Sequence, residues 1–312
     1  MDIAIVGLGL IGGSLLRALT AAGHHVTGFD ADPATRDQAA AAGFPVAGSV
    51  PAAITGTDLT VLAVPLPALP SVLDELKGYP GLVTDVTSVK RPVRDLAAHH
   101  GVRRYVGGHP MAGKETSGFA ATEATLFDGC AWVLALEPHE TDLSDWLTLA
   151  TIVTSLGARV VPVTAAEHDR AVAEVSHVPH LFAAALALQL SGDPLAGTLA
   201  AGSFRDGTRV AATRAELIVA MCAGNATEVS NALHRLIGDL EQMRDHLETD
   251  PVEFLTPLVR RAGDLRRAWP APPAEVRELP PTVDDLLAVG RNGGWITAVT
   301  ENGVEAAGNW PQ

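Results

Sequence analysis

Positive charge is scarce in this chain. Lys77, Lys90 and Lys114 are its only lysines, all in the first half, and 36 acidic side chains outnumber 22 basic ones for a formal net charge of −14 across 312 residues. Nucleic acid and anionic membrane are therefore not expected as partners, because both require a basic face that displaces counterions. A small anionic substrate would need a local cation inside a generally negative protein. Cysteine is nearly missing as well. Cys130 and Cys222 sit among apolar neighbours and read as small buried hydrophobes rather than as a disulfide, which fits a reducing cytoplasm. Hydrophobic residues reach 47%, yet no uninterrupted apolar run attains the roughly 18 residues of a membrane span. The first strand is too short for a signal peptide and lacks its basic leader, so a cytoplasmic location is expected. There is no internal repeat and no low-complexity tract, and the length suffices for two domains that each bury a core.

What is present begins at once. Met1 to Val6 is an apolar strand that runs into Gly7-Leu-Gly9-Leu10-Ile11-Gly12-Gly13-Ser14 and then into a helix expected over Ser14 to Ala22, ended by Gly23. Gly7 suits the tight turn, Gly9 lets backbone approach a pyrophosphate, and Gly12 permits close helix-on-strand packing, with the helix N-terminus facing the phosphates. A second strand, His25 to Phe29, delivers Asp30 eighteen residues after Gly12, placed to accept from ribose hydroxyls and to repel a 2′-phosphate. NAD is the expected cofactor. Arg36 is the nearest downstream cation that an NADP reading would need, and Asp32 is an equally good cap for the following helix. Gly7, Gly9, Leu10, Ile11, Gly12 and Asp30, with Val64 and Pro65 at the end of the third strand, are the cofactor-binding positions.

Strand-like segments alternate with helices: Ile3–Val6, His25–Phe29, Leu59–Val64, Leu82–Val86, Arg104–Gly107, Ala131–Leu136 and Arg159–Val163. Short, nearly continuous apolar strands between helices predict a doubly wound, mostly parallel sheet covered on both faces, an α/β fold of Rossmann type over residues 1–163. From Ala165 to about Arg267 the pattern turns helical, giving an all-helical substrate and dimerisation domain over residues 164–269. Leu233, Leu236, Ile237, Leu240, Met243 and Leu247 share one helix face there, a stripe that is core or the interface of a homodimer. Five prolines between Pro270 and Pro281 predict an extended strap. Beyond it a short helix at Val283–Val289, a turn at Gly290–Gly294 and a small hairpin from Trp295 complete a C-terminal tail, residues 270–312.

Three clusters carry chemistry. Gly107-Gly-His109-Pro-Met-Ala-Gly-Lys114-Glu115-Thr-Ser117-Gly follows a strand and so lies at the sheet's C-terminal edge, where doubly wound folds bind ligands. His109 there can take a proton from a substrate hydroxyl while hydride leaves the same carbon; a histidine packed in a loop is the plain alternative. Ser88, within Thr84-Asp85-Val-Thr87-Ser88-Val-Lys90, ends a strand at the same edge and either orients the base or caps a helix. In the helical half, His168-Asp169 is followed by Ser176-His177-Val-Pro179-His180, two imidazoles at i and i+3 with too few further ligands of suitable spacing for zinc, so no metal is expected. Arg209, in Phe204-Arg-Asp206-Gly-Thr-Arg209, offers the fork that carboxylates need, or a helix-end ion pair with Asp206 or Glu216.

Taken together, GLGLIGGS, DVTSVK, GGHPMAGKETSG with LFDGCAWVL after it, HDRAVAEVSHVPH and FRDGTR resemble the prephenate/arogenate dehydrogenase family of tyrosine biosynthesis, over about Met1 to Arg267. The resemblance implies NAD-dependent oxidative decarboxylation, with His109 accepting the 4-hydroxyl proton and Ser88 bonded to that hydroxyl or to the imidazole. It also implies that Arg209 clamps a substrate carboxylate and that Ser176, His177 and His180 line the pocket. Glu115 and Asp206 would join the arginine in an ionic network that shapes access, and the helical half would form a homodimer.

There are departures. Where some members carry a tryptophan and, two residues on, an aspartate, this chain has Ile218 and Ala220. No chorismate mutase segment precedes the glycine loop, and the tail is too short for the usual amino-acid-binding regulatory module, so tyrosine feedback through one is not expected. Prephenate, arogenate and 4-amino-4-deoxyprephenate share the chemistry, and Asp206 beside Arg209 does not choose among them. Two other classes fit less well: a 3-hydroxyacid dehydrogenase would need a lysine in the helical half, where there is none, and a non-catalytic NAD sensor would leave Ser88, His109 and Arg209 unexplained.

Overall fold

A computed structural model describes residues 1–270 and 275–308. Its strands are β1 (Asp2–Val6), β2 (His25–Phe29), β3 (Leu59–Leu62), β4 (Leu82–Asp85), β5 (Tyr105–Val106), β6 (Gly108–Pro110), β7 (Ala131–Ala135), β8 (Arg159–Val163), β9 (Val276–Leu279), β10 (Trp295–Val299) and β11 (Val304–Ala307). Its helices are α1 (Leu10–Ala21), α2 (Pro33–Ala41), α3 (Val50–Ile54), α4 (Leu69–Glu75), α5 (Arg91–His99), α6 (Leu143–Ser155), α7 (Ala165–Val172), α8 (Val178–Ala187), α9 (Pro194–Leu199), α10 (Gly202–Thr208), α11 (Ala215–Gly224), α12 (Ala226–Leu247), α13 (Pro251–Ala268) and α14 (Val283–Arg291).

The chain divides into two units. The first comprises Met1–Asp169, Thr213–Gly224 and the chain from Glu275 onward; the second comprises Arg170–Ala212 and the chain from Asn225 to the strap. In the first unit, β2-β1-β3-β4-β5 form an all-parallel sheet. Alternate residues of its strands enter two different cores. Ile3, Ile5, Leu59, Val61 and Leu82 face one side with Leu16 and Leu19 of α1, while Ala4, Val6, Leu62 and Val83 face the other with Leu69, Leu73 and Val93. Burial of both faces is why these strands read as continuous apolar runs.

The seven expected strands do not share one sheet. The last two, β7 and β8, pair parallel with each other but belong to a second, mixed sheet of order β6-β7-β8-β10-β11-β9. The tail supplies half of it: β10 pairs antiparallel with β8 at Ile296↔Val160, and β11 lies between β10 and β9. The hairpin and short helix expected from sequence are present as β10, β11 and α14, and Leu286, Leu287, Ile296 and Val304 are buried in the same core as Ile3. Four residues of the proline strap, 271–274, lie outside the described residues; β9 continues it as extended chain.

Among its described residues the second unit holds helices and no strand, as the sequence pattern predicts. A π-turn, Ala173–His177, joins α7 to α8, with Pro179 in the first turn of α8. The run Ala165–Ser191 has the length and mean hydropathy, 1.4, of a membrane span by composition alone; Ala173 and Val178 within it pack on Val229 and Ala232 of α12. The apolar stripe of α12 splits. Leu233 and Leu236 join that small core, whereas Ile237, Leu240 and Leu247 are 45%, 40% and 59% exposed. Cys130 and Cys222 are both unpaired and half-buried, and burial pushes the Cys130 thiol up to about 11.

Candidate active site

The glycine turn joins β1 to α1, and its glycines are there for separate reasons. Gly7 has φ +97°, and a Cβ on it would sit 2.4 Å from the Ala63 carbonyl oxygen. On Gly12 a Cβ would fall 1.9 Å from the Gly7 oxygen, so only glycine lets α1 pack this closely. At Gly9 a Cβ would meet nothing within 4 Å, leaving open space against its backbone. Helix α1 begins at Leu10, not at Ser14 as expected, because Gly9 is its N-cap; no side chain bonds to the cap, and the first turn carries no acid. Uncapped N–H groups at a positive helix end beside open space form a cradle for an anion, and the residues present fit a pyrophosphate.

Asp30 ends β2 and binds the turn, its carboxylate accepting from Leu8 N–H at 2.7 Å and Asp32 N–H at 2.9 Å. Asp32 caps α2. Arg36 folds back from α2 so that Nη1 donates to the Asp30 carbonyl at 2.6 Å. Val64 and Pro65 follow β3, with Val64 half-buried and Pro65 exposed.

His109 is not in a loop after a strand. It lies on β6, a short strand paired antiparallel to β7 with His109 opposite Val133, and it is 9% exposed. The carbonyl just before it, Gly108 O, accepts from Lys90 Nζ at 2.5 Å. Lys90 is itself buried and ion-paired with Asp85. Asp85 further accepts from Tyr105 Oη at 2.6 Å and from Thr87 N–H at 2.9 Å. Burial pushes the Lys90 ammonium below its ordinary range against the pull of Asp85, and pushes the Tyr105 phenol well above its own. These groups fix the backbone that carries the imidazole.

The ring of His109 is held by His168, its Nδ1 2.8 Å from His168 Nε2, and His168 Nδ1 is 2.8 Å from Asp169 Oδ1. Among the described residues no hydrogen bond joins Ser88 to His109; Ser88 is half-buried in the turn before α5. His168, which the sequence pattern puts in the helical half, is the residue that engages Nδ1 of His109. Glu115 is exposed in the loop after β6.

In the helical unit, Ser176 and His177 occupy the π-turn. His177 is fully buried, with Asn225 Nδ2 3.3 Å from its Nδ1, and Ser176 is half-buried. His180 is half-buried and its Nδ1 donates to Val210 O at 3.3 Å. That bond ties α8 to the 3₁₀ turn Arg209–Ala212, so His180 and Arg209 come into one neighbourhood. Arg209 and Asp206 are exposed. Among the described residues no group of three or more His, Cys, Asp or Glu could hold a metal ion.

A phosphate cradle on a parallel sheet and a buried, braced imidazole in the same unit, followed in the chain by a helical unit, define a nucleotide-dependent dehydrogenase of two-domain type. The chain matches the nucleotide-binding domain of prephenate dehydrogenase over residues 15–162 and its dimerization domain over residues 164–261. It is 30% identical to the prephenate dehydrogenase of Bacillus subtilis over 86% of this chain and 76% of that one. It is 32% identical to the cyclohexadienyl dehydrogenase of Zymomonas mobilis over 85% and 95%. The crystal structure of prephenate dehydrogenase from A. aeolicus in complex with hydroxyphenyl propionate and NAD+ superposes with TM-score 0.78 at 26% identity, covering 85% of this chain and 98% of that one. The chain belongs to the prephenate dehydrogenase family.

Proposed function

We propose that this protein is an NAD-dependent prephenate dehydrogenase that forms 4-hydroxyphenylpyruvate, carbon dioxide and NADH. The observation that carries the reading is His109, buried in the same unit as the phosphate cradle and braced through its Nδ1 by His168. NAD is held by the backbone of Gly7 to Gly12 at its pyrophosphate and by Asp30 at its ribose, with Val64 and Pro65 alongside. When bound, it supplies a hydride acceptor.

His109 takes the 4-hydroxyl proton as the hydride leaves the same carbon, so no alkoxide has to accumulate. The ring then loses carbon dioxide, the electrons of the broken C–C bond complete the aromatic ring, and the phenol oxygen recovers a proton from His109. Aromatisation makes the step effectively irreversible. Ser88 donates to or accepts from the substrate hydroxyl. Arg209 pairs with a substrate carboxylate and supplies the local cation that an acidic chain needs, with Ser176, His177 and His180 around the substrate and Glu115 and Asp206 modulating access. The exposed half of the α12 stripe supports a homodimer through the helical unit, which light scattering of the purified chain tests.

The deciding experiment is NADH appearance with prephenate and arogenate in parallel, and NADP replacing NAD in a second pair. Prephenate with NAD is expected to turn over fastest. A preference for arogenate would move the product to tyrosine. No turnover of either, with NAD still bound, would overturn the reading in favour of the aminodeoxy substrate or of a sensor.

A further inference from the structure

Asp169 is the fixed end of a chain of three buried side chains. Its two oxygens accept from the N–H groups of Lys90 at 2.8 Å and Arg91 at 2.9 Å, at the start of α5. Burial would raise this carboxyl, but the hydrogen bonds from His168, Arg91 and Lys90 outweigh it and hold the carboxyl below the ordinary range, so it is ionised. A carboxylate only accepts. The 2.8 Å contact with His168 Nδ1 is therefore an N–H donated by the imidazole.

Burial also holds His168 below the ordinary histidine value of 6.5; Lys90 acts in the same direction, and Asp169 and Asp85 oppose it. With one proton, on Nδ1, His168 has its lone pair on Nε2. That nitrogen is 2.8 Å from His109 Nδ1 and must be the acceptor, so His109 carries its proton on Nδ1 and its basic lone pair on Nε2. The ring planes are 76° apart and the centroids 5.1 Å from each other, so the rings meet edge to edge with an in-plane N–H aimed at an in-plane lone pair.

We infer that His168 and Asp169 are positioning residues that set the tautomer of His109 and share the proton it takes from the substrate. The inference rests on His109 being the base. As the substrate O–H bond breaks and Nε2–H forms on His109, the Nδ1–H of His109 passes to Nε2 of His168, whose imidazolium is held by the Asp169 carboxylate. The reverse shift returns the proton to the phenol oxygen after decarboxylation. The relay gains and loses one proton per turnover, and no oxidant beyond the nucleotide is required.

The test uses the full chain. Ring ¹⁵N spectra of the unliganded wild type are expected to show His109 protonated at Nδ1 and bare at Nε2. With substrate and NAD, His168→Leu is expected to lower kcat about 10²-fold, the usual upper scale for removing the group that orients a functional imidazole. The acid limb of its rate profile should move to lower pH, with NAD affinity unchanged. His168→Gln, whose amide oxygen can accept the same N–H, should recover about tenfold of that loss.

A His109 ring found bare at Nδ1, wild-type kcat in His168→Leu, or equal losses in the two variants with an unshifted pH profile would overturn the inference. If His168→Leu does not fold, the wild-type spectra and the Gln variant still decide. If the wild type turns over no substrate, the functional reading fails by itself, since the spectra need none.

Discussion

At the scale of single residues, the proposed chemistry rests on His109 and on what braces it. Replacing His109 by Asn should cut kcat about 10²- to 10⁴-fold, the usual cost of a lost general base, with little change in substrate affinity. Arg209→Gln should instead raise KM, by the equivalent of about 1.5–3 kcal/mol for a charged hydrogen bond. Steady-state kinetics with prephenate separate the two, and reversed phenotypes would mean reversed roles. Lys90→Met leaves Asp85 buried without its cation, and such a break costs about 3–5 kcal/mol; Tyr105 and Thr87, still bonded to Asp85, should hold the loss to the lower end in urea unfolding. His109 stands out in the sequence because its neighbours form a dense motif. Lys90 and His168 do not, because they act through space: Lys90 Nζ reaches the Gly108 carbonyl eighteen positions away, and His168 meets His109 across fifty-nine. An aspartate ending a buried strand with a lysine five residues on was the one signal that a buried pair lay there.

At the scale of elements, the glycine turn offers a paired test. Gly12→Ala drives a methyl into the Gly7 carbonyl and should cost about 1–3 kcal/mol of stability, the range for overpacking. Gly9→Ala meets nothing in the protein, so its thermal midpoint should stay put while NAD affinity falls about tenfold, about 1.4 kcal/mol. Calorimetry and NAD titration of both variants check this, and parallel losses in the two would deny Gly9 its place against the pyrophosphate. Gly7 and Gly12 were legible because a positive φ and a close helix packing leave glycine as the only solution, whereas Gly9 was legible only through the spacing of the motif. The edge strand β6 was not: three residues containing a proline carry no period. Nor was the departure of β7 and β8 into a second sheet, since the pairing of β8 with β10 is settled by a segment more than a hundred residues later.

At the scale of the whole molecule, stability should depend on pH through the buried relay. The fold holds His168 neutral, so folding releases a proton, and stability is expected to fall as pH drops below the ordinary histidine value of 6.5. Asp169, held below its ordinary 3.8, adds stability above that value which is lost as pH falls further through its depressed value. Thermal midpoints across that range should therefore decline in two stages, the first blunted in His168→Gln; a flat response between pH 7 and 5 would contradict the buried neutral histidine. Composition gave the helical second half plainly, because a long alanine- and leucine-rich stretch without β-branched runs has few other solutions. The return of the tail to the first unit was hidden, since a short hairpin does not say which sheet it will join. Because β10 completes the sheet beside β8 and Ile296 lies in the same core as Ile3, the nucleotide-binding unit is unfinished while the ribosome is still making the helical one. The first strands wait on a segment made long after them, and a chain stalled or clipped before residue 275 is left with the raw, unpaired edge of β8, the kind of surface that invites aggregation and chaperone binding.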